Sequence, residues 1–430
     1  MQRIRHISQS LQRSLVAMIV GAALTACAVN PVTGERELAL VSEAQEIELG
    51  RANYANYRQQ QGGDYRLQPE LGDYVAEVGR RLAAFSDRPD LPYEFIVINN
   101  PTANAWALPG GKIAINSGLL RHLDDEAQLA AVIGHEIIHA AARHGAAQMS
   151  RSMLLNVGLA AIAVGTEGQA AEWLGTASQY GAAAWMARYG RADELESDYH
   201  GIKLMVAAGY DPLAAVELQE TFVELSEGRS NDFISALFAS HPPSQERVDA
   251  NRQQVEELGV VGERYRQRYQ RMTAELKAAE PAYLAAEEAA RLLRQKNYTQ
   301  ALEKSAIAVE RLPRQGQFWL LRAAIWRALE RPDKAEKALT TAIRKTPKYY
   351  LPYLQRAQLR WQRDAMNEAA VDYRDSFSHL QTAEAAYYLG VVAQRRGDEA
   401  AADDYFSKAI KLGGEYAQRA TKRREQLRQP

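Results

Sequence analysis

The sequence predicts a mostly α-helical protein in which an α+β domain with a small sheet is followed by an α-solenoid. Helical periodicity that recurs at a constant interval marks the last third of the chain, whereas two short strand-like segments lie before it. A length of 430 residues allows two or three domains. The 52 basic and 53 acidic residues nearly cancel, so composition gives no electrostatic reason to expect nucleic-acid binding.

Residues 1–26 are typical of a lipoprotein signal peptide. A basic leader precedes the apolar run 15–26, which is shorter than the roughly 20 residues that a membrane span requires. The run ends in Leu24-Thr25-Ala26-Cys27, which resembles the bacterial lipobox. We expect export, cleavage before Cys27 and acylation of its thiol, with Ala28 directing the protein to the periplasmic face of a Gram-negative outer membrane. The alternative is a free or buried cysteine behind an ordinary signal.

A tether and then a first domain are expected after the signal. Residues 27–40 form the predicted tether because Asn30-Pro31-Val32-Thr33-Gly34 is rich in turn formers. The first domain is predicted over residues 41–265, with strands at 93–98 and 112–116. The second strand either offers unpaired backbone groups to an extended peptide or is an interior hairpin strand.

The segment His135-Glu136-Ile137-Ile138-His139 lies in a proline-free stretch that predicts a helix. His135 and His139 are four residues apart, so both imidazoles leave one face at the spacing that holds a zinc ion. Glu136 is rotated from them by roughly 100° and is the expected general base. The alternative is a chance occurrence of the pattern on an ordinary helix. His144 is expected to lie about 180° around that helix from His135, facing away.

A third zinc ligand is expected on a second helix. Glu194 and Asp198 are also four residues apart, so Glu194 can close the metal site while Asp198 accepts the second N–H of a ligand histidine. Glu196 lies on a different face and is the weaker candidate. Without the histidine motif, the same acidic residues would indicate a solvated helix start.

Further segments accompany these two motifs, at Asn104–Gly111, Ile113–Leu120 and Ser240–Arg247. Together, over roughly residues 38–265, they resemble the CAAX prenyl protease and HtpX family of zinc metalloproteases, which are gluzincins with HExxH plus ExxxD motifs. The resemblance implies a gluzincin-type fold, endopeptidase activity and one Zn²⁺ per chain held by the two motif histidines and Glu194.

The resemblance leaves the roles of His241 and Arg247 open. His241 either donates to the oxyanion of the tetrahedral intermediate or occupies the open zinc position and holds the enzyme inactive; a loop histidine that caps a helix is the structural alternative. Arg247 either stabilises the same oxyanion or pairs with Asp198 or another carboxylate.

Residues 149–189 form an apolar insert rich in alanine and glycine. Its apolar part is too short and too weakly apolar for a membrane span. Integral-membrane relatives carry spanning helices here, so we expect a lid or helical hairpin beside the active site, with membrane contact as the second interpretation.

The chain from 281 to 413 carries tetratricopeptide-type repeats. Ala301, Ala335 and Ala369 are equally spaced, and Pro313 and Pro347 are separated by the same interval, which is the tetratricopeptide period of about 34 residues. Four helix pairs and a closing helix or tail at 414–430 would make a short solenoid whose concave face binds proteins or peptides. The expected partners are protein substrates, among them outer-membrane proteins or their assembly machinery, with the membrane reached through the lipid anchor.

The sequence therefore predicts an exported zinc endopeptidase of envelope protein quality control, with repeats that recruit substrates or dock on a complex. The rival from another functional class is a chaperone-like scaffold whose zinc site is silenced.

Overall fold

The computed structural model describes residues 27–163, 189–227 and 234–427. The predicted signal peptide and most of the predicted insert lie outside these residues. Helices make up most of the described chain and the sheets are small, which confirms the predicted fold class.

The segment predicted as a tether is instead a hairpin. Strand β1 (Cys27–Val29) pairs antiparallel with β2 (Arg36–Leu38), and Cys27 lies opposite Leu38. Within the turn, the Asn30 side-chain oxygen accepts hydrogen bonds from the backbone N–H groups of Val32 and Thr33. The turn was predicted correctly, but strands of three residues are too short to show an alternating pattern.

The first domain continues with ten helices and a three-stranded sheet among the described residues. In chain order these are α1 (Glu43–Gln60), α2 (Pro69–Ala83), β3 (Glu94–Ile98), β4 (Ala105–Leu108), β5 (Lys112–Asn116), α3 (Ser117–His122), α4 (Glu126–Ala141), α5 (His144–Ala163), α6 (Arg191–Ala207), α7 (Leu213–Glu227), α8 (Ser235–Ser240), α9 (Gln245–Leu258) and α10 (Arg266–Ala278).

The sheet order is β3–β5–β4, with β5 parallel to β3 and antiparallel to β4. Strand β5, the one considered for peptide binding, is therefore interior and cannot accept a further strand. The edge beside the zinc-motif helix belongs to β4, which the sequence did not identify as a strand. All four residues of β4 are buried, so no alternation marks it.

Helix α4 is buried on all sides, which explains its almost uninterrupted apolar sequence. Asp125 caps its first turn by accepting a hydrogen bond from the backbone N–H of Gln128. The helix ends because Arg143 takes a left-handed φ of 64°. The Arg143 guanidinium is held there by the buried carboxylate of Glu46 at 2.6 Å and by the Val41 carbonyl at 2.6 Å.

The second part of the chain is a solenoid of antiparallel helix pairs. The pairs are α11 (Glu280–Arg294) with α12 (Tyr298–Arg311), α13 (Gly316–Ala328) with α14 (Pro332–Lys345), α15 (Tyr350–Gln362) with α16 (Met366–His379), and α17 (Ala383–Arg395) with α18 (Glu399–Leu412), followed by α19 (Gly414–Leu427).

The turn inside each pair repeats with the same period as the sequence. Lys296, Glu330 and Asp364 recur at the interval of the repeat and all adopt a left-handed φ, of 62°, 56° and 58°. In the fourth pair the position is taken by Gly397, which comes one residue early and has a φ of 78°. The shift of one residue arises before the fourth pair, because three residues link α16 to α17 where four link α14 to α15. The buried alanines of the first three pairs keep their register.

The solenoid is fastened to the first domain through buried polar contacts. The Arg121 guanidinium, on α3, pairs with Glu280 at 2.8 Å and Glu287 at 2.7 Å on α11. The side-chain amides of Asn99 and Gln315 donate to each other's oxygens at 3.1 and 2.8 Å. One hydrophobic cluster also runs from the first domain into α11–α13, so the two parts share a core.

Among the described residues, no helix combines the length and apolarity needed to cross a bilayer. Helix α5 covers the start of the predicted insert, and Met153, Leu154 and Leu155 on it are exposed. The choice between a lid and a membrane contact concerns mainly residues 164–188, which lie outside the described residues.

Candidate metal centre

The site is built where helices α4 and α6 cross at two glycines. A Cβ atom on Gly201 would stand 3.1 Å from the backbone nitrogen of His135, and one on Gly134 would stand 3.2 Å from the Gly201 carbonyl oxygen. These distances are tighter than ordinary Cβ contacts, so glycine at both positions favours so close a crossing. The crossing brings the histidines of α4 opposite the carboxylates at the start of α6.

Four buried side chains converge at this crossing. His135 Nε2 lies 3.0 Å from His139 Nε2 and 3.2 Å from Nδ1 of His241, the residue that directly follows α8. Glu194 Oε1 lies 3.0 Å from His241 Nδ1 and 3.4 Å from His139 Nε2. The four candidate ligand atoms all lie within 4.8 Å of one another.

A second layer of charges supports the cluster. His135 donates through Nδ1 to Asp198 at 2.9 Å, and Arg247 donates to both oxygens of Asp198 at 2.6 and 2.7 Å. A further nitrogen of Arg247 lies 2.8 Å from Glu194 Oε2. Burial alone would raise the pKa of Asp198, but the Arg247 charge outweighs it and lowers that pKa. Asp198 is thus kept ionised and fixes the orientation of His135.

The chain has relatives among known metalloproteases. The model of Peptidase family M48 matches residues 69–255. Metalloprotease YcaL of Escherichia coli K12 is 32% identical over 194 residues, which is 43% of this chain and 73% of that protein. The chain belongs to peptidase family M48. The resemblance seen in the sequence motifs is thereby confirmed.

Two further M48 relatives extend the comparison. Mitochondrial metalloendopeptidase OMA1 of Schizosaccharomyces pombe is 37% identical over 177 residues, 41% of this chain and 50% of that protein. The beta-barrel assembly-enhancing protease of Escherichia coli K12 is 31% identical over 272 residues, 59% of this chain and 54% of that protein. The chain spans about half the length of these two relatives.

The cluster fits the zinc ion that M48 peptidases use. Three imidazole nitrogens and one carboxylate oxygen, all buried, form a donor set that suits zinc. The donor atoms come from the two histidines of HExxH, from the glutamate of ExxxD and from His241. The sequence had indicated the first three as ligands and His241 as an alternative fourth.

Glu136, the predicted general base, lies beside the cluster. Its Oε1 lies 3.5 Å from His241 Nε2, while its Oε2 is buried and makes no hydrogen bond to a described protein atom. Burial raises the pKa of this carboxyl. Glu136 and His135 line one cavity together with His241, so the carboxylate faces the space beside the cluster.

The expectation that His144 faces away from the site is wrong. Helix α4 ends at Ala141, and the left-handed conformation of Arg143 turns the chain toward the site. As a result, Nδ1 of His144 lies 2.8 Å from Nδ1 of His139. Tyr189 covers the His139 ring with a stacked contact of 3.7 Å between centroids. The sequence did not indicate the His144 contact, because no glycine or proline marks the end of the helix, and the Tyr189 contact joins segments that are distant in the sequence.

Proposed function

We propose that this chain is a zinc-dependent endopeptidase that acts on unfolded or misassembled proteins in the cell envelope. The observation that carries the proposal is the buried, unbonded carboxylate oxygen of Glu136 beside a four-donor metal cluster. A purely structural zinc site needs no such base.

The chain's own residues supply positioning and proton transfer. When bound, zinc acts as a Lewis acid toward the scissile carbonyl and lowers the pKa of water that reaches it. Glu136 takes a proton from the attacking water and passes it to the leaving amine. Asp198 and Arg247 hold His135 and Glu194 in place rather than reacting, because both are turned toward those ligands.

An extended substrate would bind along the edge of β4. No strand among the described residues pairs with the outer edge of β4, and Ala105 of this strand lines the cavity that holds Glu136. A peptide added there forms backbone hydrogen bonds with little regard to its side chains. Such binding suits an enzyme with many unfolded substrates.

The repeats are proposed to recruit protein substrates or to dock on an assembly complex. One relative is named a beta-barrel assembly-enhancing protease, and its 272-residue alignment extends beyond the 69–255 span of the M48 domain. Outer-membrane proteins and their assembly machinery are therefore the proposed partners. The shared core between the solenoid and the first domain would hold a recruited chain at a fixed position relative to the active site.

The proposed location is the periplasm, with an outer-membrane anchor at Cys27. The basic leader, the short apolar run and the lipobox-like Leu24–Cys27 support export and acylation. Multiple acyl chains would anchor the protein stably where a single chain would not.

A digestion experiment separates the protease from the chaperone-like scaffold. The full chain with zinc bound is expected to cleave casein and a misassembled outer-membrane protein, and a chelator is expected to stop both reactions. A scaffold would bind the misassembled protein and leave both substrates intact. Binding without cleavage at full zinc occupancy would therefore overturn the proposed activity.

We further propose that His241 ligates zinc in the resting enzyme and leaves when substrate arrives. Its Nδ1 lies among the other three ligand atoms, so all four positions of a tetrahedral site would be filled. Coordination by His241 would keep water from the metal and prevent random hydrolysis.

The variant His241→Ala is expected to raise basal casein cleavage or self-cleavage while zinc content stays at one per chain. His200→Ala, a half-buried histidine on α6 outside the cluster, is the matched control and should change neither quantity. If His241 instead served the oxyanion, turnover would fall by on the order of 10²–10³. A fall in activity would end the switch proposal.

A further inference from the structure

We propose that His144 is a positioning residue for the metal site: it holds His139 in the tautomer that presents Nε2 to zinc. The inference rests on the proposed zinc site and goes beyond the ligand set already described. The deciding contact is the 2.8 Å between Nδ1 of His139 and Nδ1 of His144.

The direction of this hydrogen bond follows from the surroundings of His139. Its Nε2 faces the other ligand atoms, 3.0 Å from His135 Nε2 and 3.4 Å from Glu194 Oε1. A nitrogen that ligates a metal carries no proton, so the single proton of neutral His139 sits on Nδ1. His139 therefore donates, and His144 accepts through Nδ1.

The surroundings of His144 agree with that assignment. An acceptor at Nδ1 places the proton of neutral His144 on Nε2, and this atom lies 3.3 Å from the carboxylate oxygen Oε1 of Glu196. The contact is electrostatic and not an aligned hydrogen bond, since Nε2 has no formal hydrogen-bond partner among the described residues. A negative charge at this distance still favours the N–H at Nε2 over the alternative tautomer.

Glu196 is itself held by the amino-terminal hairpin. Asn30 Nδ2 donates to Glu196 Oε1 at 2.9 Å and to Glu37 at 3.0 Å. A series of contacts therefore connects the metal site with the segment next to Cys27, from His139 through His144 and Glu196 to Asn30. It supports His139 in the way that Asp198 and Arg247 support His135, so each histidine of the HExxH motif has its own outer partner.

A buried histidine can also be simple core filling, but the local backbone argues against that for His144. Its ring is buried, and its position depends on the left-handed φ of Arg143, a residue type that seldom adopts this conformation. Arg143 is fixed in turn by Glu46 and Val41. An apolar side chain could fill the same volume without a left-handed Arg143 held by Glu46 and Val41.

The test compares two substitutions of His144 in the full chain. His144→Phe keeps a ring and removes the acceptor, whereas His144→Asn keeps an acceptor, because its Oδ1 occupies nearly the place of Nδ1. His379→Phe, a half-buried histidine of the solenoid, is the matched control. Zinc is stripped from each protein and its affinity is measured by titration with Zn²⁺ against a competing chelator.

His144→Phe is expected to weaken zinc binding by about 10–100-fold, the usual cost of losing an outer partner of a ligand histidine. His144→Asn is expected to recover most of that affinity, and His379→Phe to match the wild type. If His144→Phe does not fold, as judged by melting of the metal-free protein, His144→Leu takes its place in the same comparison.

Unchanged zinc affinity in the phenylalanine or leucine variant would overturn the inference. So would an asparagine variant as weak as the phenylalanine variant, because the hydrogen bond would then not be the cause. Failure of the proposed protease activity looks different: the wild type would bind zinc tightly and cleave nothing. The affinity measurement is independent of any cleavage assay.

Discussion

Replacing Arg247 with alanine is expected to lower the free energy of unfolding of the metal-free chain by about 3–5 kcal/mol, the range found when one partner of a buried ion pair is removed. Arg247 is buried and contacts both Asp198 and Glu194, which are buried as well. Its removal would leave Asp198 without its principal positive partner and would take one positive contact from Glu194. Urea unfolding, followed by the loss of helical signal, measures the change.

Arg252→Ala is the matched control, since this arginine lies on the same helix, α9, and is exposed. An exposed pair contributes at most about 1 kcal/mol, so the control should lie close to the wild type. If Arg247→Ala lowered the free energy of unfolding no more than Arg252→Ala does, Arg247 would not be stabilising Asp198 and Glu194 as a buried partner.

Three of the four candidate zinc ligands could be predicted from the sequence because helix geometry converts spacing into direction. A separation of four residues puts two side chains on one face whatever the tertiary structure is. His135 with His139, and Glu194 with Asp198, are both of this kind. The repeats were predictable for a related reason: a fixed period needs several copies of one packing unit, and Ala301, Ala335 and Ala369 are all fully buried.

What the sequence missed depends on contacts between distant segments. The order of the sheet puts β5 in the centre and β4 at the edge, yet all residues of both strands are buried, so composition does not distinguish them. The approach of His144 to His139 depends on one backbone angle at Arg143, set by Glu46 nearly a hundred residues earlier. Neither feature leaves a local pattern.

Glu136→Gln is expected to reduce casein cleavage by about 10²–10⁴, the usual contribution of a general base. Glutamine has nearly the same shape, but its amide cannot take a proton from water. The substitution breaks no hydrogen bond at Oε2, because that oxygen has no partner among the described protein atoms. Folding and zinc binding should therefore persist. The free energy of unfolding should not fall, because burial already disfavours the charged carboxylate and raises the pKa of this carboxyl. Glu48→Gln, on the exposed side of α1, is the control and should cleave as the wild type does.

The most direct test measures zinc content and casein cleavage in the same preparations of the wild type and of Glu136→Gln. We expect one zinc per chain in both proteins and cleavage by the wild type alone. Equal cleavage by both proteins at equal zinc content would contradict it, because the buried carboxylate beside the cluster would then have no part in the reaction.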